Sequence, residues 1–148
     1  TSDPNATFSH MAPLDAWYSR LQQHVTGLHK GKVHHRNYLE GPTGIPGLSF
    51  NYGVGQSDCF AELYIKSTSR NSCDTVFDNI RTHHEAIEKA FEGKLIWDRM
   101  AGYPTCRIRY EIRRGYNSPR EAWSEIQDAL IDAMTRLEKA LELYLREF

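Results

Sequence analysis

Long apolar runs are missing from this sequence. No stretch approaches the roughly 18–20 residues that cross a bilayer, and no basic segment followed by an apolar one stands near the N-terminus. A membrane partner is therefore not expected. An excess of one charge is missing too: eighteen basic and nineteen acidic side chains leave a formal charge of −1. Any affinity for nucleic acid must then come from local clustering and not from a global field. Cysteine is scarce, with Cys59, Cys73 and Cys106 scattered and no C-x-x-C pair or disulfide framework among them. That usage implies a reducing, cytoplasmic setting. It predicts no structural metal and no catalytic thiol; Cys59 and Cys106 read as small apolar core groups. No G-x-x-x-x-G-K loop is present, and residues 41–47 are too proline-rich to cradle a phosphate. No cofactor is expected.

What the sequence does hold is an ordinary globular composition, 148 residues with 40% hydrophobic and 25% charged side chains, enough for one continuous core. Residues 1–13 are small, polar and proline-containing, and read as a tail, a linker or a vector remnant, the last suggested by Ser9-His10-Met11. Residues 14–148 read as a single α+β domain. Leu14, Trp17, Leu21, Val25 and Leu28 recur at helical spacing. Residues 29–47 are basic at first, then rich in Gly and Pro, and predict a long loop with at most a short strand. Residues 48–54 and 59–67 alternate as a hairpin around a Gly-containing turn. A second helix is predicted over 75–91, with Ser72 and Asp74 as capping candidates and Gly93 as its stop. A second hairpin follows over 95–100 and 105–113. Ser118-Pro119-Arg120-Glu121 reads as a capping box ahead of a helix of roughly 30 residues, striped by Trp123, Ile126, Leu130, Met134, Leu137, Leu141 and Leu145. The order αββαββα predicts a two-layer sandwich: a mainly antiparallel four-stranded sheet with its helices on one face and a long C-terminal helix.

Within the last strand, alternation sends Arg107, Arg109, Glu111 and Arg113 to one side and Ile108, Tyr110 and Ile112 to the other. If helices cover only the apolar side, the arginines stand on an open face, spaced to track phosphates. Competing with this is a solvated face of cross-strand ion pairs to Glu62, Asp98 or Glu111. A second basic concentration, Lys30, Lys32, His34, His35 and Arg36, lies in the preceding loop and would join the first only if both faced the same way. Tyr52, Tyr64 and Trp97 on neighbouring strands offer stacking surfaces or core anchors. Asp58, Glu62 and Lys66 resemble the acidic-acidic-lysine site of metal-dependent nucleases. However, Glu62 and Lys66 are four residues apart, some 13 Å at about 3.3 Å per residue, too far to share one metal. His84 and Glu88 share a helix face at i, i+4, but two ligands do not make a zinc site.

Glu62-Leu63-Tyr64-Ile65 on a strand, Phe77 in the following helix, Ile87-Glu88, Leu95-Ile96-Trp97-Asp98-Arg99 and the strand at Arg107-Ile108 together resemble the bacterial and archaeal domain-of-unknown-function family 4268 (DUF4268). The resemblance runs from about Trp17 to the C-terminus. Members often form the C-terminal part of larger proteins whose N-terminal part looks like a nuclease of the restriction-endonuclease superfamily. It thus implies an accessory, non-catalytic module of a DNA-processing or defence system, and no nuclease portion is expected within these residues. Glu62, Tyr64, Trp97, Asp98 and Arg99 carry the motif, as pocket lining or as pairs that fix the sheet register. Weak nucleic-acid binding through Arg107, Arg109, Arg113, Lys30, Lys32 and Arg36 is the functional expectation. Its rival is an interaction module pairing with a nuclease chain or as a homodimer, through the spare apolar residues Ile131 and Leu143 of the last helix.

Overall fold

Every second residue of the central strands is apolar, and each such row needs a cover. The computed structural model describes residues 4–100 and 102–148, with side chains from Ala12 onward. Helix α1 (Pro4–His24) leads through a 3-10 turn at Gly27–His29 into strand β1 (Tyr38–Pro42). The hairpin β2 (Leu48–Val54) and β3 (Cys59–Lys66) follows, then helices α2 (Cys73–Arg81) and α3 (His84–Phe91). Strands β4 (Ile96–Asp98) and β5 (Thr105–Ile112) and helix α4 (Arg120–Leu145) complete the chain. The part of the expected tail at residues 1–3 lies outside the described residues.

The sheet is antiparallel throughout, in the order β1-β2-β3-β5-β4. It has five strands where the sequence pattern predicts four. The extra strand, β1, comes from the Gly/Pro-rich segment, whose only inward residues are Leu39 and Gly41. Gly41 leaves no room for a side chain: a Cβ there would sit 2.5 Å from the imidazole of His29, which takes the place of an apolar residue over that strand. The α+β sandwich with helices on one face and a long last helix is otherwise as expected.

The helix-covered face carries Leu39 from β1, Leu48, Phe50, Tyr52 and Val54 from β2, Cys59, Ala61, Leu63 and Ile65 from β3, and Cys106 and Ile108 from β5, all buried. Helix α4 crosses β2, β3 and β5 with the predicted stripe, and α1 packs on α4 through Trp17, whose ring meets Trp123 edge-on at 5.3 Å. Fully buried Gln127 joins the two helices. Its amide donates to Trp17 O at 2.9 Å and its Oε1 accepts from Arg20 at 2.7 Å, so no polar group of Gln127 is stranded.

Some local expectations differ. Residues 4–13, expected as a tail, linker or vector remnant, form the first part of helix α1, which stops at His24, short of Leu28. The helix predicted over 75–91 is broken at Thr82 and His83: the Thr82 hydroxyl donates back to Asn79 O, and His83 leaves helical geometry at φ −104°, ψ 19°. Thr82, His83 and His84 are weak helix formers on the solvent side, and nothing there repays continuity. The capping box before α4 does not form. Ser118 instead accepts the Trp123 indole N–H on its carbonyl at 3.0 Å, and the helix starts at Arg120 after Pro119. Ser72 does cap α2, accepting from Thr75 N at 3.2 Å. None of the described helices is long and apolar enough to cross a membrane.

Candidate functional site

The face of the sheet away from the helices is built from cross-strand rows, because antiparallel partners place their side chains side by side. One row runs Glu40, Asn51, Glu62, Arg109, Ile96; the next runs Pro42, Ser49, Tyr64, Arg107, Asp98; a third holds Tyr38, Gly53, Phe60 and Glu111. The β1–β2 connection at residues 43–47 rises beside them. Strands β1, β2, β3 and β5 and this connection line an open hollow of about 820 Å³, among its residues the buried Ser49, Asn51 and Glu62 and, from β3 and β5, Tyr64, Lys66, Arg107 and Arg109. That volume falls in the range of ordinary ligand pockets, roughly 300–1,000 Å³.

Glu62 organises this lining. Its carboxylate is 3% exposed and accepts from Arg109 Nη2 through both oxygens at 3.1 Å, while Arg109 Nη1 donates to Glu111 at 3.2 Å. Burial pushes the Glu62 pKa up, and Arg109, then Arg107, pull it back. A carboxylate taken from water this far needs such partners to stay charged. The Arg109 guanidinium also stacks 3.9 Å over the Phe60 ring, which lies against Gly53 where a Cβ would come within 2.0 Å. Phe60 is therefore held between a glycine and an arginine, with no ring face left for a base.

Arg107 is looser. Its Nε lies 3.8 Å from Glu62, its side chain is 32% exposed, and it stands 5.9 Å from the Tyr64 ring. Asn51 Oδ1 and the Nε atoms of Arg107 and Arg109 are buried without a hydrogen-bond partner among the described residues. Around the hollow, Lys66, Arg107 and Arg109 face Glu40 and Glu62, a slight positive excess and not a basic stripe.

The remaining sequence-predicted residues scatter. Arg113 is exposed just beyond β5. Lys30, Lys32 and Arg36 are also exposed, but their loop leaves from His29, whose ring lies on the helix-covered side against Tyr52 at 4.5 Å, and His34 stacks on Tyr18 of α1 at 4.6 Å. The loop thus packs with the helix layer, and the strand arginines point the other way. Trp97 is on the helix side, near Phe77 at 6.2 Å. Tyr64 is on the open face with Glu62. Asp98 accepts from Met100 N at 3.1 Å, and Arg99 pairs with Asp78 of α2 at 3.0 Å, so neither forms the expected cross-strand pair. Glu88 binds Leu95 N at 2.7 Å, which commits it to the α3–β4 turn and not to a metal with His84.

A second cluster escaped sequence reasoning. Cys73 and Asp74, at the start of α2, meet Cys106 of β5: Asp74 Oδ1 lies 3.9 Å from Cys73 Sγ and 3.5 Å from Cys106 Sγ. The three donor atoms are all within 4.8 Å of one another. Burial first, then Cys73 and Asp74, push the Cys106 thiol well above its usual range. Thirty-two residues separate Asp74 from Cys106 in the chain. Only the pairing of β3 with β5, which α2 spans, brings them together.

A family model described as "Domain of unknown function (DUF4268)" matches residues 16–145. Among solved structures, YbjN from E. coli, titled a candidate transcription regulator, is similar over 90% of this chain and 93% of its own, at 13% identity and a TM-score of 0.40. No curated protein matches the chain.

Proposed function

The chain belongs to the DUF4268 family, and from that premise we propose that it is a non-catalytic accessory module which binds a short stretch of single-stranded nucleic acid, weakly, across the open sheet face. The observation that carries this reading is the hollow of about 820 Å³ on a sheet face left bare by the helices, with two incompletely paired cations, Arg107 and Lys66, in its lining. A duplex is too broad for such a recess, whereas an unpaired strand can place a base beside Tyr64 and Asn51 and a phosphate on Arg107.

Arg109 is not a phosphate contact in this reading, since Glu62 and Glu111 already hold it. Lys30, Lys32 and Arg36 drop out as well, for their loop packs with the helices. Arg113 adds charge only at the end of the row. Two phosphate contacts on a single strand correspond to a salt slope of about −1.4 in log K against log[salt]. The module's place beside a nuclease in DNA processing or defence is the context that the family resemblance supplies.

The test is fluorescence anisotropy of a labelled single-stranded oligonucleotide across a salt series, with the parent, Arg107→Glu and Lys66→Glu. A shallow slope near the stated value, and loss of binding in either variant, is expected. Binding that ignores salt, or that survives both reversals, removes the reading. The rival, pairing with a second chain through α4, loses its main feature: Ile131 packs against the core edge, and Leu143 alone stays exposed at 63%.

A further inference from the structure

Three soft or hard metal donors from two elements converge at the end of the sheet where α2 begins: the thiols of Cys73 and Cys106 and the Oδ1 oxygen of Asp74. A tetrahedral zinc with Zn–S near 2.3 Å and Zn–O near 2.0 Å separates its sulfur and oxygen ligands by about 3.5 Å and its two sulfurs by about 3.8 Å. The distances of 3.5 and 3.9 Å from Asp74 Oδ1 to the two sulfurs are close to that geometry. We infer that Cys73, Asp74 and Cys106 form a binding site for a zinc-class divalent ion, separate from the hollow on the open face.

The surroundings fit the charge that such a site would carry. Two thiolates and a carboxylate around a dication leave one net negative charge, and Arg99 stands 3.9 Å from Asp74 Oδ2 to offset it. The same guanidinium is held on Asp78 at 3.0 Å, so it orients the outer oxygen of Asp74 while Oδ1 faces the sulfurs. Both cysteines are buried, whereas Asp74 is half-exposed and opens a path from solvent. On binding, each S–H bond breaks, its proton passes to water and a Zn–S bond replaces it; nothing is oxidised or reduced. The Arg99 and Tyr103 carbonyls, 3.1 and 3.7 Å from the sulfurs, accept those S–H groups in the free thiols. One of them, or water, fills the fourth position. Thiolate pairs select zinc over magnesium or calcium, which prefer oxygen. The ion would clamp the start of α2 to β5 and to the β4–β5 loop.

Cobalt(II) is the probe, added to the full chain kept reduced. One equivalent should give thiolate-to-cobalt charge-transfer absorption with the visible bands of a tetrahedral ion, both erased by one equivalent of zinc. Cys73→Ser and Cys106→Ser should each abolish the charge-transfer band, Asp74→Asn should weaken cobalt binding by roughly tenfold or more, and Cys59→Ala should leave the spectrum unchanged. Far-UV circular dichroism on Asp74→Asn, whose side chain is partly solvated, guards against reading misfolding as lost binding. A reduced parent that gives no charge-transfer band overturns the inference. So does a band that survives Cys73→Ser or vanishes in a folded Cys59→Ala. An isolated chain two hydrogens light, with Cys73 joined to Cys106, overturns it in favour of a redox pair.

Discussion

The two faces of the sheet are made by the same strands, alternate residue by alternate residue, and they are held by different physics. Behind β3 and β5, Leu63 and Ile108 sit side by side, wholly removed from water under the helices. In front, the neighbouring pair is Glu62 and Arg109, nearly as deeply placed but held by charge-assisted hydrogen bonds. The covered face tolerates almost any apolar residue of the right volume, whereas the open one needs particular partners at particular register positions. Burial by itself therefore does not mark the core of this domain. Glu62 is buried with no helix above it, by its own neighbours.

The difference should appear first in stability. Ile108→Ala should cost about 3–4 kcal/mol in urea unfolding, because the helices cannot fully collapse onto the gap; a cost below about 1 kcal/mol would mean the covered face is loosely packed. Glu62→Ala should cost about 2 kcal/mol by removing the bidentate partner of the largely buried Arg109, which keeps Glu111 as its one remaining carboxylate. If Glu62→Ala proves neutral, the open face is simply wet and the contrast fails.

A polar intrusion on the covered side sharpens the comparison through pH. Burial lowers the His29 pKa below its ordinary 6.5, and burial raises Glu138, 3.9 Å away, to about 6. The unfolded chain protonates His29 first, so this histidine makes stability fall as pH drops below about 6.5. Glu138 acts in the opposite sense: its contribution is present below its unfolded value and is lost as pH rises through about 6. Glu138→Gln should thus be more stable than the parent at pH 7, with the gap closing toward pH 4.5 in thermal unfolding followed across pH. A gap that widens in acid would reverse the assignment. The smallest effect belongs to Arg107→Ala, expected to change stability by less than about 1 kcal/mol while reducing oligonucleotide binding. That combination would separate the part of the open face that recognises from the part that only holds.

Most of this architecture was legible in the sequence, for definite reasons. The stripe from Trp123 to Leu145 and the alternation of residues 59–66 and 105–112 are long enough to fix element type and facing. The break between α2 and α3 was not legible, because Ile80 and Ile87 are seven residues apart and keep the same face whether or not the helix is continuous. Strand β1 could be read only as a short strand within a long loop and was not counted in the sheet, because its cover is a histidine brought from another segment, a contact that no local period announces. The ion-paired face was among the readings available from spacing alone, but the choice of Glu62 over Asp98 as the arginines' partner depends on Asp98 turning to Met100. The cysteine cluster had one local signal, the adjacency of Cys73 and Asp74, and its third member is supplied only by topology.

The two borders of the sheet carry a last consequence. One ends in β4, three residues long, and the other in β1, five residues closed by Pro42, which has no N–H to offer. Short rims of this kind are poor templates for a foreign β-segment, so fibril-like zippering between copies is discouraged at both ends. The ligand proposed for the open face would accordingly lie flat on the sheet rather than lengthen its ribbon.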